Sequence, residues 1–146
     1  MLLTKDDVFK NEKINPHHYC MPVVKNEEDL LSLRKAACFD NDKFFLGTDS
    51  APHLTKDKIQ NESLKAGIFS SPCSLELYAN IFEEEHALHN LEKFSSINGP
   101  HFYGLDINSQ LVTLTKTETN FPEYTEEGNI KIKNFFAGKK INWKVS

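Results

Sequence analysis

Arginine is nearly absent from this sequence, because Arg34 is the one arginine among 17 basic residues. Guanidinium groups bind phosphates and carboxylates through two parallel hydrogen bonds, and lysine offers only a point charge. We therefore expect any arginine that an active site needs to come from elsewhere. The formal net charge is −4 and the basic residues are not clustered. This balance argues against a nucleic-acid-binding surface.

Cysteine is scarce as well, and long apolar runs are missing. Cys20, Cys38 and Cys73 are odd in number and widely spaced, with no C-x-x-C pair, which fits neither a disulfide framework nor a zinc ribbon. We expect three reduced, mostly buried thiols. The N-terminus lacks the basic and apolar segments of a secretion signal. No stretch approaches the roughly twenty apolar residues that span a bilayer. These absences predict a soluble, cytoplasmic protein.

Consecutive apolar residues indicate buried strands, and they alternate with helical patterns. His18 to Val24 and Phe44 to Gly47 are apolar on successive positions, which is typical of parallel strands covered on both faces. Leu111 to Thr115 and Ile141 to Val145 indicate two later strands. There is no internal repeat or Pro/Gly-rich linker, so residues 1–146 are expected to belong to one domain. The order predicts an α/β fold with a parallel sheet.

Helix signals lie between these strands. Asn26 is a good N-cap for a helix to about Cys38, and Ser71-Pro72 has the residues of a second helix start. We expect the first helix to bury Leu30, Leu31, Leu33 and Ala37, and the second to bury Leu75, Tyr78, Ala79 and Phe82. A shorter helix is predicted over 87–94, a firm break at 98–100, and a long loop over 54–65.

Asp49 and His53 are the first candidates for chemistry, because they follow the predicted strand 44–47. Reactive groups in β/α folds stand at the carboxyl ends of the strands. The carboxylate could bind a metal or act as a base, and the imidazole could bind a metal or an anion. Spacing alone leaves a second interpretation open, in which Asp49 caps the turn and His53 is an exposed loop residue.

The segment from Phe44 to His53, Phe-Phe-Leu-Gly-Thr-Asp-Ser-Ala-Pro-His, resembles the last-strand motif of bacterial dihydroorotases. Further segments are similar to that family in the same order along the chain. They are Pro16 to Val23, Ala66 to Phe69, Leu77 to Glu84, Asn98 to Leu105, and Phe136-Ala137-Gly138 with Trp143. The resemblance covers nearly the whole chain from about Asn15.

This resemblance implies a fold and an activity. The fold would be the C-terminal portion of a (β/α)₈ TIM-type amidohydrolase barrel, which is incomplete in this chain. The activity would be the reversible, zinc-dependent cyclisation of N-carbamoyl-L-aspartate to L-dihydroorotate in de novo pyrimidine (UMP) biosynthesis. The substrate is a small molecule, and relatives are commonly homodimers. Neither a nucleic acid nor a membrane is an expected partner.

The resemblance also implies roles for four residues. Asp49 matches an aspartate that binds one zinc of a binuclear centre and transfers protons. His53 matches a histidine that binds the substrate carboxylate, and the backbone N–H of Ala66 would reach the same carboxylate. The backbone of Met21, where leucine is usual, would contact the ring. One extra residue lies between His53 and Ala66 relative to the family.

Most zinc ligands of that family have no counterpart here, namely an H-x-H pair, a carboxylated lysine and two later histidines. His86 and His89 are expected to face solvent. A complete barrel takes about 250 residues. Two strands cannot close one, so we expect the isolated chain to be inactive and poorly soluble, or stable only beside the missing part. Two alternatives stay open: another cyclic amidase, such as an allantoinase or hydantoinase, and a non-catalytic truncated product or partner subunit.

Overall fold

A computed structural model of the chain describes residues 1–59 and 64–146. The α-helices are α1 Lys5–Val8, α2 Glu27–Cys38, α3 Thr55–Ile59, α4 Ser74–Glu84 and α5 Asn98–Tyr103. Short 3₁₀ turns cover Ser71–Cys73 and Leu88–Asn90, and a π-type turn covers Lys93–Ile97. The strands are β1 Phe9–Lys10, β2 Lys13–Ile14, β3 Leu114–Asn120, β4 Tyr124–Glu127, β5 Ile130–Lys133 and β6 Lys140–Val145.

Helix α2 begins and ends where the sequence predicts. The Asn26 side chain accepts a hydrogen bond from the Asp29 N–H at 2.9 Å, and the Asp29 carboxylate accepts one from the Asn26 N–H, which forms a capping box. Ala37 is buried as predicted. The predictions for Leu31 and Leu33 are wrong, since they are 53 % and 45 % exposed. The inward face runs instead through Arg34, Ala37 and Cys38, one helical turn apart.

Helix α4 lies at the centre of the core. It packs with α2 and the 88–97 segment in a cluster that includes Cys38, Phe82 and Phe94. On another face, Leu77 packs with Cys73 and Ile141 of β6. The predicted stripe correctly placed Ala79 and Phe82 in the core but omitted Leu77 and Ile81. One apolar stripe does not include all the buried residues of α4, because the helix packs against two different core clusters.

The two predicted buried strands, 18–24 and 44–47, are not strands. Each makes an isolated backbone contact instead of a ladder: the Gly67 N–H donates to the Tyr19 carbonyl at 2.9 Å, and the Leu46 N–H donates to the Phe94 carbonyl at 3.0 Å. A strand exists only beside a pairing partner. Over residues 1–59 and 64–146, neither segment has such a partner. A run of apolar residues is therefore not sufficient to make either segment a strand.

The sheets are three antiparallel pairs, β1–β2, β3–β6 and β4–β5. The predicted parallel sheet is therefore wrong for the part of the chain described. The late strand at 141–145 is confirmed as β6, and its partner β3 begins three residues later than predicted. The β4–β5 hairpin was missed because its strands are polar; its turn contains Gly128 in the left-handed region at φ +56°.

Two loop predictions need correction. The proposed break at 98–100 lies inside α5, because the Asn98 amide donates to the Phe44 carbonyl at 2.9 Å and Gly99 packs against the Phe45 ring. Tertiary contacts thus override a local turn pattern. The helix ends at Gly104, whose φ of +65° is that of a left-handed cap. The predicted loop 54–65 contains α3, and its residues 60–63 lie outside the described residues.

Two expectations from composition can be compared with the fold. The three cysteines are free; Cys38 and Cys73 are buried, and Cys20 is partly buried, as predicted. Within residues 1–59 and 64–146, no helix has the length and apolar character needed to cross a membrane.

Candidate active site

Three of the four predicted site residues line one cavity of about 470 Å³. They are Met21, Asp49 and Ala66, which come from three separate segments of the chain. The N-terminal residues 1–3 and one face of α4 also line the cavity. His53 lies behind Ala66, close enough for a hydrogen bond. The fold therefore brings the four predicted residues into one region.

Asp49 stands in a turn that neighbouring residues hold in place. Its φ of +43° lies in the left-handed region, which aspartate tolerates better than most residues. The next residue, Ser50, accepts hydrogen bonds from the N–H groups of Ser70 at 3.1 Å and Ser71 at 3.0 Å. The Ala51 N–H donates to the Ile68 carbonyl at 2.9 Å. The carboxylate is exposed, so it is available to a ligand at the cavity.

His53 is held against Ala66 by a close contact between two loops. Its Nε2 donates to the Ala66 carbonyl at 2.9 Å. Gly67, with φ +143°, permits this approach, since a Cβ there would lie 2.7 Å from the Ala51 carbonyl oxygen and 2.9 Å from the His53 ring. Only glycine fits such a position without displacement of the backbone. The 51–53 and 66–68 segments therefore form one packed unit.

Sequence reasoning missed Lys58, which lies beneath this unit. The residue is 5 % exposed, and its ammonium donates to the Gly67 carbonyl; it also lies 3.5 Å from the Tyr19 carbonyl oxygen. Burial lowers the pKa of Lys58. No pattern in the sequence distinguishes it from Lys56 on the same short helix, which is exposed. Its position became evident only from the fold.

The residues at the cavity do not by themselves form a metal centre. A tightly held zinc needs several converging ligands. Among residues 1–59 and 64–146, no three His, Cys, Asp or Glu side chains are grouped so that they could hold a metal ion. His86 and His89 are exposed, as predicted. Asp49 therefore offers one carboxylate, and zinc does not fit this set of residues without further ligands.

His17 and His18 belong to a second, smaller cavity of about 260 Å³, which Lys133 and Lys139 also line. Burial, together with the nearby Lys133 ammonium, lowers the pKa of His17 to about 4. Burial also lowers the pKa of His18, whose Nδ1 lies 3.3 Å from the Asp7 carbonyl oxygen.

Comparison with solved structures identifies the class of protein. The chain superposes on the dihydroorotase of Saccharomyces cerevisiae in complex with 5-fluoroorotic acid, with a TM-score of 0.90 and 36 % identity, over 99 % of this chain and 40 % of that one. The dihydroorotase of Campylobacter jejuni gives 0.86 and 31 %, over 99 % and 42 %. Both are dihydroorotases, which are TIM-barrel amidohydrolases, and this chain shares their fold over about two fifths of their length. Within residues 1–59 and 64–146, closure of a barrel is not seen.

The curated relatives of this chain are dihydroorotases as well. The chain is 50 % identical to the dihydroorotase of Hahella chejuensis and 48 % identical to that of Erythrobacter litoralis, in each case over 132 residues. It therefore corresponds to the C-terminal portion of a dihydroorotase, as its motifs predicted. The aligned region is 90 % of this chain and 38 % of each relative, so the chain spans about two fifths of their length. No protein-family model matches the sequence.

Proposed function

We propose that this chain is the C-terminal part of a dihydroorotase, which reversibly closes N-carbamoyl-L-aspartate to L-dihydroorotate in the synthesis of pyrimidines. The observation that carries the proposal is the arrangement of Met21, Asp49 and Ala66 around one cavity, with His53 bonded to Ala66. These are the residues to which the sequence resemblance assigns the site. Their convergence from distant positions supports the assignment.

In this proposal Asp49 transfers protons. In the direction of synthesis, the carbamoyl nitrogen attacks the carbon of the side-chain carboxylate, a carbon–nitrogen bond forms, and one carboxylate oxygen departs as hydroxide, which a proton from solvent converts to water. Asp49 takes the proton from the attacking nitrogen and gives it to the departing oxygen. Hydrolysis follows the same path in reverse. The exposed carboxylate on a restrained turn suits this role, because it is held in position and accessible from the cavity.

His53, Ala66 and Met21 are proposed to bind the substrate. The His53 ring and the Ala66 N–H would hold its free carboxylate, and the Met21 backbone would contact the ring. The yeast relative was crystallised with 5-fluoroorotic acid, a pyrimidine that carries a carboxylate. A ligand of that kind agrees with a site that combines an anion-binding edge with the largely aliphatic wall formed by residues such as Leu77 and Ile81.

Zinc dependence is proposed for the assembled enzyme and not for these residues alone. Asp49 would supply one ligand, and the H-x-H pair, carboxylated lysine and further histidines would come from outside this sequence. The same resemblance gives the expectation of a homodimer, and a cytoplasmic location stays a prediction from the sequence. The relatives reported above are all dihydroorotases, which favours this activity over that of an allantoinase or hydantoinase. A second candidate function remains, that of a truncated product without catalysis, because no complete set of zinc ligands is found among the described residues.

The test joins the chain to the part it lacks. The chain is produced alone, and also co-expressed with the remaining portion of the Hahella relative, and dihydroorotate ring opening is measured with bound zinc quantified. We expect the chain alone to hold little zinc and to be inactive, and the assembly to hold zinc and turn over substrate. Asp49→Asn in the assembly should lower kcat by roughly 10²–10⁴-fold, whereas Asp106→Asn, at an exposed position, should not. A zinc-loaded assembly without activity would contradict the proposal and favour the truncated product.

A further inference from the structure

Lys58 contacts two backbone segments that meet at the cavity. Its ammonium donates to the Gly67 carbonyl, next to Ala66, and lies 3.5 Å from the Tyr19 carbonyl oxygen, two residues before Met21. The Gly67 N–H also donates to Tyr19, so the two segments already touch. Lys58 thus lies where the proposed carboxylate-binding segment and the proposed ring-binding segment come together.

The burial of this lysine needs an explanation, because a buried ammonium loses hydration that hydrogen bonds must replace. In the described part of the chain, its partners are the two carbonyl oxygens and no carboxylate. Lys56 and Lys65, close to it in sequence, are exposed. An alkyl side chain would fill the same space without this cost. The presence of a charged side chain at this buried position therefore indicates a use for hydrogen-bond donors directed at both carbonyl oxygens.

We propose that Lys58 is a positioning residue for the substrate site, an inference that rests on the proposed function. Lys58 is not among the described residues that line the cavity, so it acts through the backbone. By binding the Tyr19 and Gly67 carbonyls, the ammonium sets the separation of the segments that carry Met21 and Ala66. The substrate contacts both segments, and their spacing therefore determines how well it binds.

The expected effect is on substrate binding and not on the chemical step. Loss of the ammonium lets the two segments move apart, which weakens contacts that the ground state and the transition state share. Such a change raises KM and leaves kcat unaltered. Loss of one hydrogen bond to a charged group corresponds to a rise in KM of roughly tenfold.

The test measures KM and kcat for dihydroorotate in the assembled enzyme, with thermal melting as the measure of folding. Lys58→Met should raise KM about tenfold with kcat within about twofold of the parent. Lys58→Arg, which retains charge and donors, should restore KM to within about threefold. Lys56→Met, on the exposed side of the same helix, should match the parent.

Three results would overturn the inference: an unchanged KM in Lys58→Met, a fall in kcat at constant KM, or an arginine variant as impaired as the methionine variant. If Lys58→Met does not fold, Lys58→Gln is measured instead, since it keeps amide N–H donors but loses the charge and should give an intermediate rise in KM. An unchanged KM in Lys58→Gln would equally overturn the inference. An inactive parent and an inactive Lys56→Met would refute the proposed function, whereas an active parent with unaltered lysine variants would refute only the role of Lys58.

Discussion

Gly67→Ala should be among the most destabilising small substitutions at this site. Residues with a side chain rarely adopt the Gly67 φ of +143°, and the strain of adopting it would cost an alanine about 1–3 kcal/mol. The new methyl group would also lie 2.7 Å from the Ala51 carbonyl oxygen and 2.8 Å from the Ala51 Cβ, atoms that no side-chain rotation can remove. Overpacking of this kind costs about 1–3 kcal/mol more. We therefore expect the free energy of unfolding to fall by at least about 2 kcal/mol.

Equilibrium urea unfolding, followed by the fluorescence of the one tryptophan, Trp143, measures this change. The matched control is Gly47→Ala, which lies before the Asp49 turn and has no atom within 4 Å of an added Cβ. Its stability should stay within about 1 kcal/mol of the parent. Both variants are compared with the parent in the same preparation, either the chain alone or the assembled enzyme, in which the parent is folded. If Gly67→Ala and Gly47→Ala unfold at the same urea concentration, the argument that only glycine lets the two loops pack is wrong.

Two further predictions concern stability. Ser50→Ala removes the acceptor for the Ser70 and Ser71 N–H groups and should lower the free energy of unfolding by about 1 kcal/mol. The control Ser109→Ala, in an exposed loop, should leave the free energy of unfolding unchanged. Equal melting curves for the two variants would contradict this prediction. His17 has a pKa of about 4 when folded, below its unfolded value, so the unfolded chain binds more protons between about pH 6.5 and 4. Stability should therefore fall as the pH falls through that window, and His17→Gln should flatten the dependence; parallel pH profiles for parent and variant would oppose this reading.

Local chemistry was enough to predict several elements. The capping pattern at Asn26 sets the start of α2, because the cap and its partner Asp29 are three residues apart and need no distant contact. The strand at 140–145 was likewise visible from alternating residues that include Ile141 and Trp143. The motif from Phe44 to His53 indicated the family, and the comparisons agree.

Burial and strand pairing could not be predicted in the same way. Leu31 and Leu33 are apolar on a helix whose inward face is chosen by the elements that cover it, and that choice appears only in the folded chain. Residues 18–24 and 44–47 have strand-like composition, yet a strand depends on a partner elsewhere in the sequence. Composition alone does not say whether that partner is present.

The sequence by itself determined the family and the main helices, because these depend on short motifs and local hydrogen bonding. The resemblance to that family supplied the four residues proposed for the site. Tertiary structure alone decided that Met21, Asp49 and Ala66 line one cavity and that Lys58 is buried against the Tyr19 and Gly67 carbonyls. The physical reason is distance along the chain. Burial and convergence arise from contacts between residues tens of positions apart, which no local pattern encodes.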